Sequence, residues 1–408
     1  MNAEILRDVL VPEGLFGAPD AAAGLPREDG CLRGDLVLRD GRVAGMVRGA
    51  AQGRPRVVIP ALVEAHCHLD KCHTIGRMTG IGGDLRAAIQ AQAEDKAHWT
   101  AADLRARIGR GMDEAMAAGC DLVRSHVDWP EDGRPPLAWS VMAEAAQDRP
   151  GLELDRAALM AVDLLAEPGM AERVAGHIAA TGGTMGAFVL DHARREDGLQ
   201  AVIAAAGRHG LALDFHVDEG LADELDGLGL IAELVIETGF DGPVLCGHCC
   251  SLMNVDGPAL DRLIERIARA GICVTALPTT NLYLQGRGPG TPDRRGLTRL
   301  RELAAGGVPI AVASDNVGDA FCPTGWHDPL AALNLAVLAG HLDPPFARWL
   351  PAVTHDAARA LGRPARSVLA APLSALRLST APDLPGLVSG RFAPARAIAP
   401  ADVERTGI

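Results

Sequence analysis

The stretch IPALVEAHCHLDK, residues 59–71, ends an apolar run with two histidines one residue apart, His66 and His68. Side chains two apart on a strand share a face, so both imidazoles can reach one point, and such a point can hold a metal ion. Other apolar runs end in the same manner: His126 in VRSHVD, His216 in DFHVDE, His248 in LCGHCC and Asp315 in AVASDN. Three imidazoles and one carboxylate converging from several strand ends make a divalent-metal site with room left for water. Water on such an ion has its pKa lowered to about 7, which makes hydroxide accessible near neutral pH. Taken singly, each residue has an ordinary alternative. A lone strand-end histidine is commonly a hydrogen-bonded surface group, and SDN after a strand is commonly a turn or helix cap. The joint pattern on successive strands is what argues for chemistry.

Glu219 stands three residues after His216, so on a continuing strand the two would face opposite ways. They share a site only if the strand ends at His216 and the chain turns, which Gly220 favours. A carboxyl group placed there is a candidate proton shuttle, the alternative being a solvated acid in DEGLADELD. Cys67 should point away from its flanking histidines, and Cys249 and Cys250 lack the C-x-x-C spacing of a zinc clip, so all three read as small buried residues. His73, His98, His177, His192, His209, His327, His341 and His355 have no partner spacing and read mostly as surface groups or caps.

These residues need a frame that gathers strand ends. From about residue 57, eight strand-like runs alternate with Ala-, Leu- and Glu-rich segments at helical spacing, from RVVIPALVEAH to PIAVASD. The fold class expected is α/β, a (β/α)8 barrel spanning residues 57–364, whose active sites assemble at the C-terminal ends of strands. Residues 1–56 hold a strand–turn–strand around RDGR, and the Pro-rich residues 365–408 are expected to return and pack with them. A net charge of −13 and 3% aromatic residues disfavour nucleic acid as a partner. No run of about 18 apolar residues offers a membrane span. Nine scattered cysteines suit reduced thiols, and the expected location is cytoplasmic.

At this point the chain resembles the amidohydrolase superfamily, and within it the bacterial cytosine deaminases and their relatives. The residues that carry the resemblance are VVIPALVEAHCHLDK, VRSHVD, DFHVDE, GHCCSL, NLYLQGRGPGTPDRRGLTRLREL and ASDNVGDAFCPTG, in the family's order over about residues 57–362. The resemblance implies one catalytic metal ion, zinc or iron, held by His66, His68, His216 and Asp315. It implies that Glu219 carries protons to a ring nitrogen and that His248 orients the metal water or stabilises the tetrahedral intermediate. Asp315 would accept a proton from that water, the hydroxide would attack an amidine-like ring carbon, and the amine would leave as ammonia. The family's small β-sandwich, built from both termini, fits residues 1–56 and 365–408, and a homo-oligomer is expected.

The substrate shell departs from the family. Asp315–Asn316 replaces two consecutive aspartates, Leu164 or Leu165 stands where a pocket glutamine is usual, and Phe321 replaces a tryptophan. Gln285 in YLQGR is the remaining amide expected to touch substrate. The expectation is therefore hydrolytic deamination of a small cytosine-like amino-heterocycle. 5-Methylcytosine, isocytosine, creatinine-like rings and aminotriazines all remain open. The same donors would also serve hydrolysis of a cyclic amide or an N-alkyl substituent. A two-metal version is disfavoured because no lysine ends GAFVLD, and a non-catalytic barrel should have lost one of the six candidate groups, all of which are present.

Overall fold

The computed structural model describes residues 3–49, 53–79, 81–390 and 395–406. Eight parallel strands carry the centre of the molecule: β1 Leu62–Cys67, β2 Cys120–Asp128, β3 Glu153–Leu159, β4 Met185–Val189, β5 Leu213–Val217, β6 Val244–His248, β7 Cys273–Ala276 and β8 Ile310–Val312. They form a three-stranded sheet, β1-β2-β3, and a five-stranded sheet, β4 to β8. Full ladders stop at the two seams. Single bridges join β3 to β4 through Ala157–Thr184 and Ala161–Phe188, and Cys67 at the end of β1 to Asp315 beyond β8. Burial of these strands on both faces explains their near-continuous apolar runs.

Helices cover the outside. Ala101–Ala118 starts on Thr100, whose hydroxyl accepts from the Asp103 amide. It stops at Gly119, where φ is +108° and a Cβ would lie 2.7 Å from the Ala395 carbonyl. Leu85–Lys96 is capped by Asp84, which accepts from the Ala87 amide. No helix among the described residues is long and apolar enough to cross a membrane.

The apolar run from Arg56 to His66, expected as one strand, belongs to two. Arg56–Pro60 belongs to a separate eight-stranded sheet, antiparallel to Leu376–Ser379 and parallel to Val9–Leu10. Pro60 has no N–H to continue that ladder, and the chain enters β1 two residues later. The same sheet holds Ala3–Pro12, Cys31–Arg39 and Arg42–Val47, with Asp40 and Gly41 at positive φ in the hairpin turn. Both chain ends therefore contribute to it, since Glu404–Thr406 pairs with the first strand.

Polar groups inside the strand ring lie beneath the histidines. Arg124 on β2 is almost fully buried and donates to Asp155 on β3, at 2.7 and 2.9 Å, and to Asp214 on β5, at 2.9 Å. A guanidinium held between two carboxylates neutralises charges that would otherwise be stranded in the core. Arg124→Ala leaves both acids uncompensated and should cost about 3–5 kcal/mol of stability, read as a lower denaturation midpoint. A shift under about 1 kcal/mol would show that the network contributes little.

Candidate metal-dependent active site

His66, His68 and His216 point their Nε2 atoms at one another. The Nε2 atoms of His66 and His216 are 3.1 Å apart, and those of His216 and His68 are 3.0 Å apart. Asp315 Oδ1 lies 3.3 Å from His68 Nε2 and 3.6 Å from His66 Nε2. An ion with four ligands at about 2.1 Å has donor–donor edges of about 3.4 Å, so these spacings suit one divalent ion. Burial, reinforced by the neighbouring imidazoles, holds His66 and His216 well below the usual histidine range, and burial beside Lys71 pushes His68 down to about 3. All three rings are therefore neutral and present lone pairs. Burial pushes Asp315 up, but contact with His68 and the nearby His248 outweighs it and keeps the carboxyl below its usual range. Neither Asp315 oxygen has a hydrogen bond of good geometry, His68 Nε2 at 3.3 Å lying beside Oδ1. A buried carboxylate without a well-formed hydrogen bond, set among neutral imidazoles, is costly unless a cation joins them, so the donor set fits a metal.

His126 also enters this cluster. Its ring centroid is 4.0 Å from that of His66, and its Nε2 is 3.0 Å from Asp214 Oδ1. Ligand-capable atoms of His66, His68, His126 and His216 lie within 4.8 Å of one another, as do those of His66, His248 and Asp315. The residue names of β2 signalled His126, but only the assembled ring shows that it closes the base of the cluster.

The backbone bends sharply where these side chains leave their strands. Asp218, His248 and Asp315 all have positive φ, at +54°, +69° and +62°. Such conformations cost non-glycine residues about 1–3 kcal/mol each and gather at functional sites. On β6, Gly247 faces inward, since a Cβ there would sit 2.8 Å from His66 Cε1. Alternation would then turn His248 outward, and its left-handed φ brings the ring back to the cluster. β5 runs one residue past His216 to Val217, and the chain then turns between Asp218, at positive φ, and Gly220, whose amide donates to the Asp218 carbonyl at 2.8 Å. The Asp218 carboxylate accepts from the amides of Gly227 and Leu228, and burial pushes it up to about 6. That turn places Glu219 Oε2 3.6 Å from His248 Nε2. Burial pushes the Glu219 carboxyl up to about 7, against the pull of His248. His248 Nδ1 donates to Asn281 Oδ1 at 3.0 Å, which leaves Nε2 free toward Glu219.

A cavity of about 360 Å³ opens above the cluster, within the usual range for small-molecule sites. His68, His216, Glu219 and His248 line it, together with Asn316, Phe321 and Leu164. One Asn316 amide proton goes to Asp319 Oδ2 at 2.7 Å, and Asp319 also accepts from the amides of Phe321 and Cys322. Gln285, expected to touch substrate, is not among the lining residues. Its amide donates to the Glu219 carbonyl at 3.4 Å, so it lies behind Glu219.

Several lining residues carried no usable signal in the sequence. Lys71 Nζ is 2.7 Å from Asp128 Oδ1 and 5.4 Å from the Phe321 ring centroid, and Lys96 Nζ is 3.5 Å from Asp128 Oδ2. Gln92 and Trp129 also line the cavity. His73 and His327, read as unpartnered, both face Glu114, at 3.2 and 3.1 Å, with His327 fully buried. Sequence spacing could not pair them because the three lie on separate segments. All nine cysteines are free and buried.

Comparison with known proteins identifies the family. The model of the amidohydrolase family matches residues 85–371. The chain is 36% identical over 351 residues to a pterin deaminase of Rhizobium rhizogenes, covering 83% of this chain and 80% of that one. Among solved structures, 5-methylcytosine deaminase from Klebsiella pneumoniae aligns with a TM-score of 0.79 at 24% identity, over 99% of this chain and 98% of that one. N-isopropylammelide isopropylaminohydrolase from Burkholderia multivorans aligns with a TM-score of 0.74 at 22% identity, over 97% of both. At those identities the two structures speak for the fold. The family match and the 36% relative go further: this chain belongs to the amidohydrolase family and is a hydrolase acting on carbon–nitrogen bonds.

Proposed function

We propose that this enzyme is a metal-dependent deaminase of a small amino-substituted nitrogen heterocycle. The observation that carries the reading is the set of four mutually facing donors, His66, His68, His216 and Asp315, at the floor of a ligand-sized cavity with Glu219 on its wall. When bound, a zinc or iron ion there supplies Lewis-acid activation of water. The protein does the rest. Glu219 protonates the ring nitrogen beside the amidine carbon, as a carboxyl lifted to about 7 by burial can near neutral pH. His248, its Nδ1 anchored on Asn281, directs Nε2 at the oxygen that adds to that carbon. Asp315 takes the proton that water loses and passes it to the departing amine. Water adds across the C=N bond, the exocyclic C–N bond breaks, ammonia leaves and a ring oxo group remains.

The substrate follows from two supports. The lining includes Leu159, Leu164, Phe188 and Phe321, apolar surfaces suited to a flat ring. The relative at 36% identity is a pterin deaminase, so 2-amino-4-oxopteridine is the first ring to test, with cytosine and 5-methylcytosine beside it. A second reading, release of an alkylamine, draws on the fold shared with the isopropylaminohydrolase.

The test is ammonia release by zinc- or iron-reconstituted protein across amino-pteridines, amino-pyrimidines and N-alkylamino-triazines, before and after chelation. Ammonia from at least one amino ring, lost on chelation and restored by metal, is expected. Alkylamine release without ammonia would move the assignment to the second reading, and turnover unaffected by chelation would remove the metal from it.

A further inference from the structure

Gln92 is on the helix Leu85–Lys96, is 3% exposed and lines the same cavity as His68, His216 and Glu219. Neither Oε1 nor Nε2 has a hydrogen-bond partner. Buried polar side chains in folded proteins almost always have partners, so a buried carboxamide with both ends free, on a residue that lines a cavity, points to a ligand that completes it. Trp129, just past β2 and 5% exposed, lines the cavity with an equally unpartnered Nε1–H. Its ring is fixed edge-to-face against Trp139, at 4.9 Å, and its backbone amide donates to the Leu159 carbonyl at 2.8 Å. The two residues reach one cavity from different segments. Together they offer one acceptor and three N–H donors.

A ring lactam is the complement of that set. Its N–H donates to Gln92 Oε1 while the adjacent C=O accepts from Nε2, and a further ring nitrogen or oxo group accepts from Trp129. The cations on the wall do not call for an anionic ligand, because Lys71 and Lys96 already face Asp128. Resting on the deaminase reading above, we propose that Gln92 and Trp129 form a lactam-recognising subsite. The substrates are then amino-oxo heterocycles, in which N–H stands beside C=O, and not rings whose only substituents are amino groups. A site built around buried hydrogen-bonding groups rejects ligands that leave them unpaired.

The test is equilibrium binding by calorimetry to zinc-reconstituted protein, using two rings that cannot be deaminated: 2,4-dioxopteridine, which has the lactam, and unsubstituted pteridine, which lacks it. The wild-type protein should prefer the dioxo ring by about 100-fold. Gln92→Leu and Gln92→Glu should bring the two affinities within a few-fold, and Trp129→Phe should cut the preference by about tenfold, with melting temperatures near wild type. Preference retained in both Gln92 variants, or no preference or no binding in the wild type, would overturn the subsite. Ammonia release from 2-amino-4-oxopteridine is scored separately. A preference that depends on Gln92 without any ammonia would leave the subsite standing and sink the deaminase reading.

Discussion

His216→Ala should leave the protein folded but unable to hold a divalent ion after reconstitution, and without any ammonia release. The reason is geometric. His216 Nε2 is the atom that lies 3.1 Å from His66 Nε2 and 3.0 Å from His68 Nε2, so its loss opens the shared centre of the cluster. Removing a partner outside the ligand shell typically costs 10–100-fold in metal affinity, and removing a ligand should cost at least about 100-fold. Burial already keeps the His216 ring neutral, so its removal strands no charge and stability should change little in the metal-free protein. Metal content per chain, measured beside circular dichroism, checks both halves. Stoichiometric metal in the variant would mean that His126, already within the cluster, serves in its place or that the ion sits elsewhere.

Glu219→Gln should behave differently, keeping the metal and the ring-binding affinity while losing turnover by about 10²–10⁴-fold in kcat. The carboxyl is buried on the cavity wall, 3.6 Å from His248 Nε2, and no metal-facing atom depends on it. Glutamine preserves the shape and the backbone contact with Gln285, whose amide bonds the Glu219 carbonyl and not the side chain. What it removes is the exchangeable proton. A loss confined to KM would reassign Glu219 to binding. An unchanged kcat would show that another group, with His248 the nearest, moves the proton.

Much of this site was legible in residue types and spacing. Two histidines at i and i+2 on an apolar strand share a face wherever that strand is placed, and His66 with His68 illustrates it. Alternation, helical periodicity and caps such as Thr100 and Asp84 are properties of neighbouring residues, so the succession of strands and helices could be read directly. The residues ending those strands, His216, His248 and Asp315, were visible for the same reason.

Other features depended on contacts between distant segments. Alternation alone would have turned His248 away from His66, and a left-handed φ supported by Asn281 and the neighbouring strand reverses it. Pro60 divided an apolar run whose hydrophobicity shows no break. Gln92 lies on an amphipathic helix like any other in its pattern, and only the packing of that helix makes it part of the same cavity wall as Trp129, with its amide unpartnered. What the sequence by itself determined was which side chains share a face, because that is set by the repeat of the local backbone. What only the tertiary structure decided was which faces meet, because hydrogen bonds and burial between segments hundreds of residues apart have no local period to reveal them.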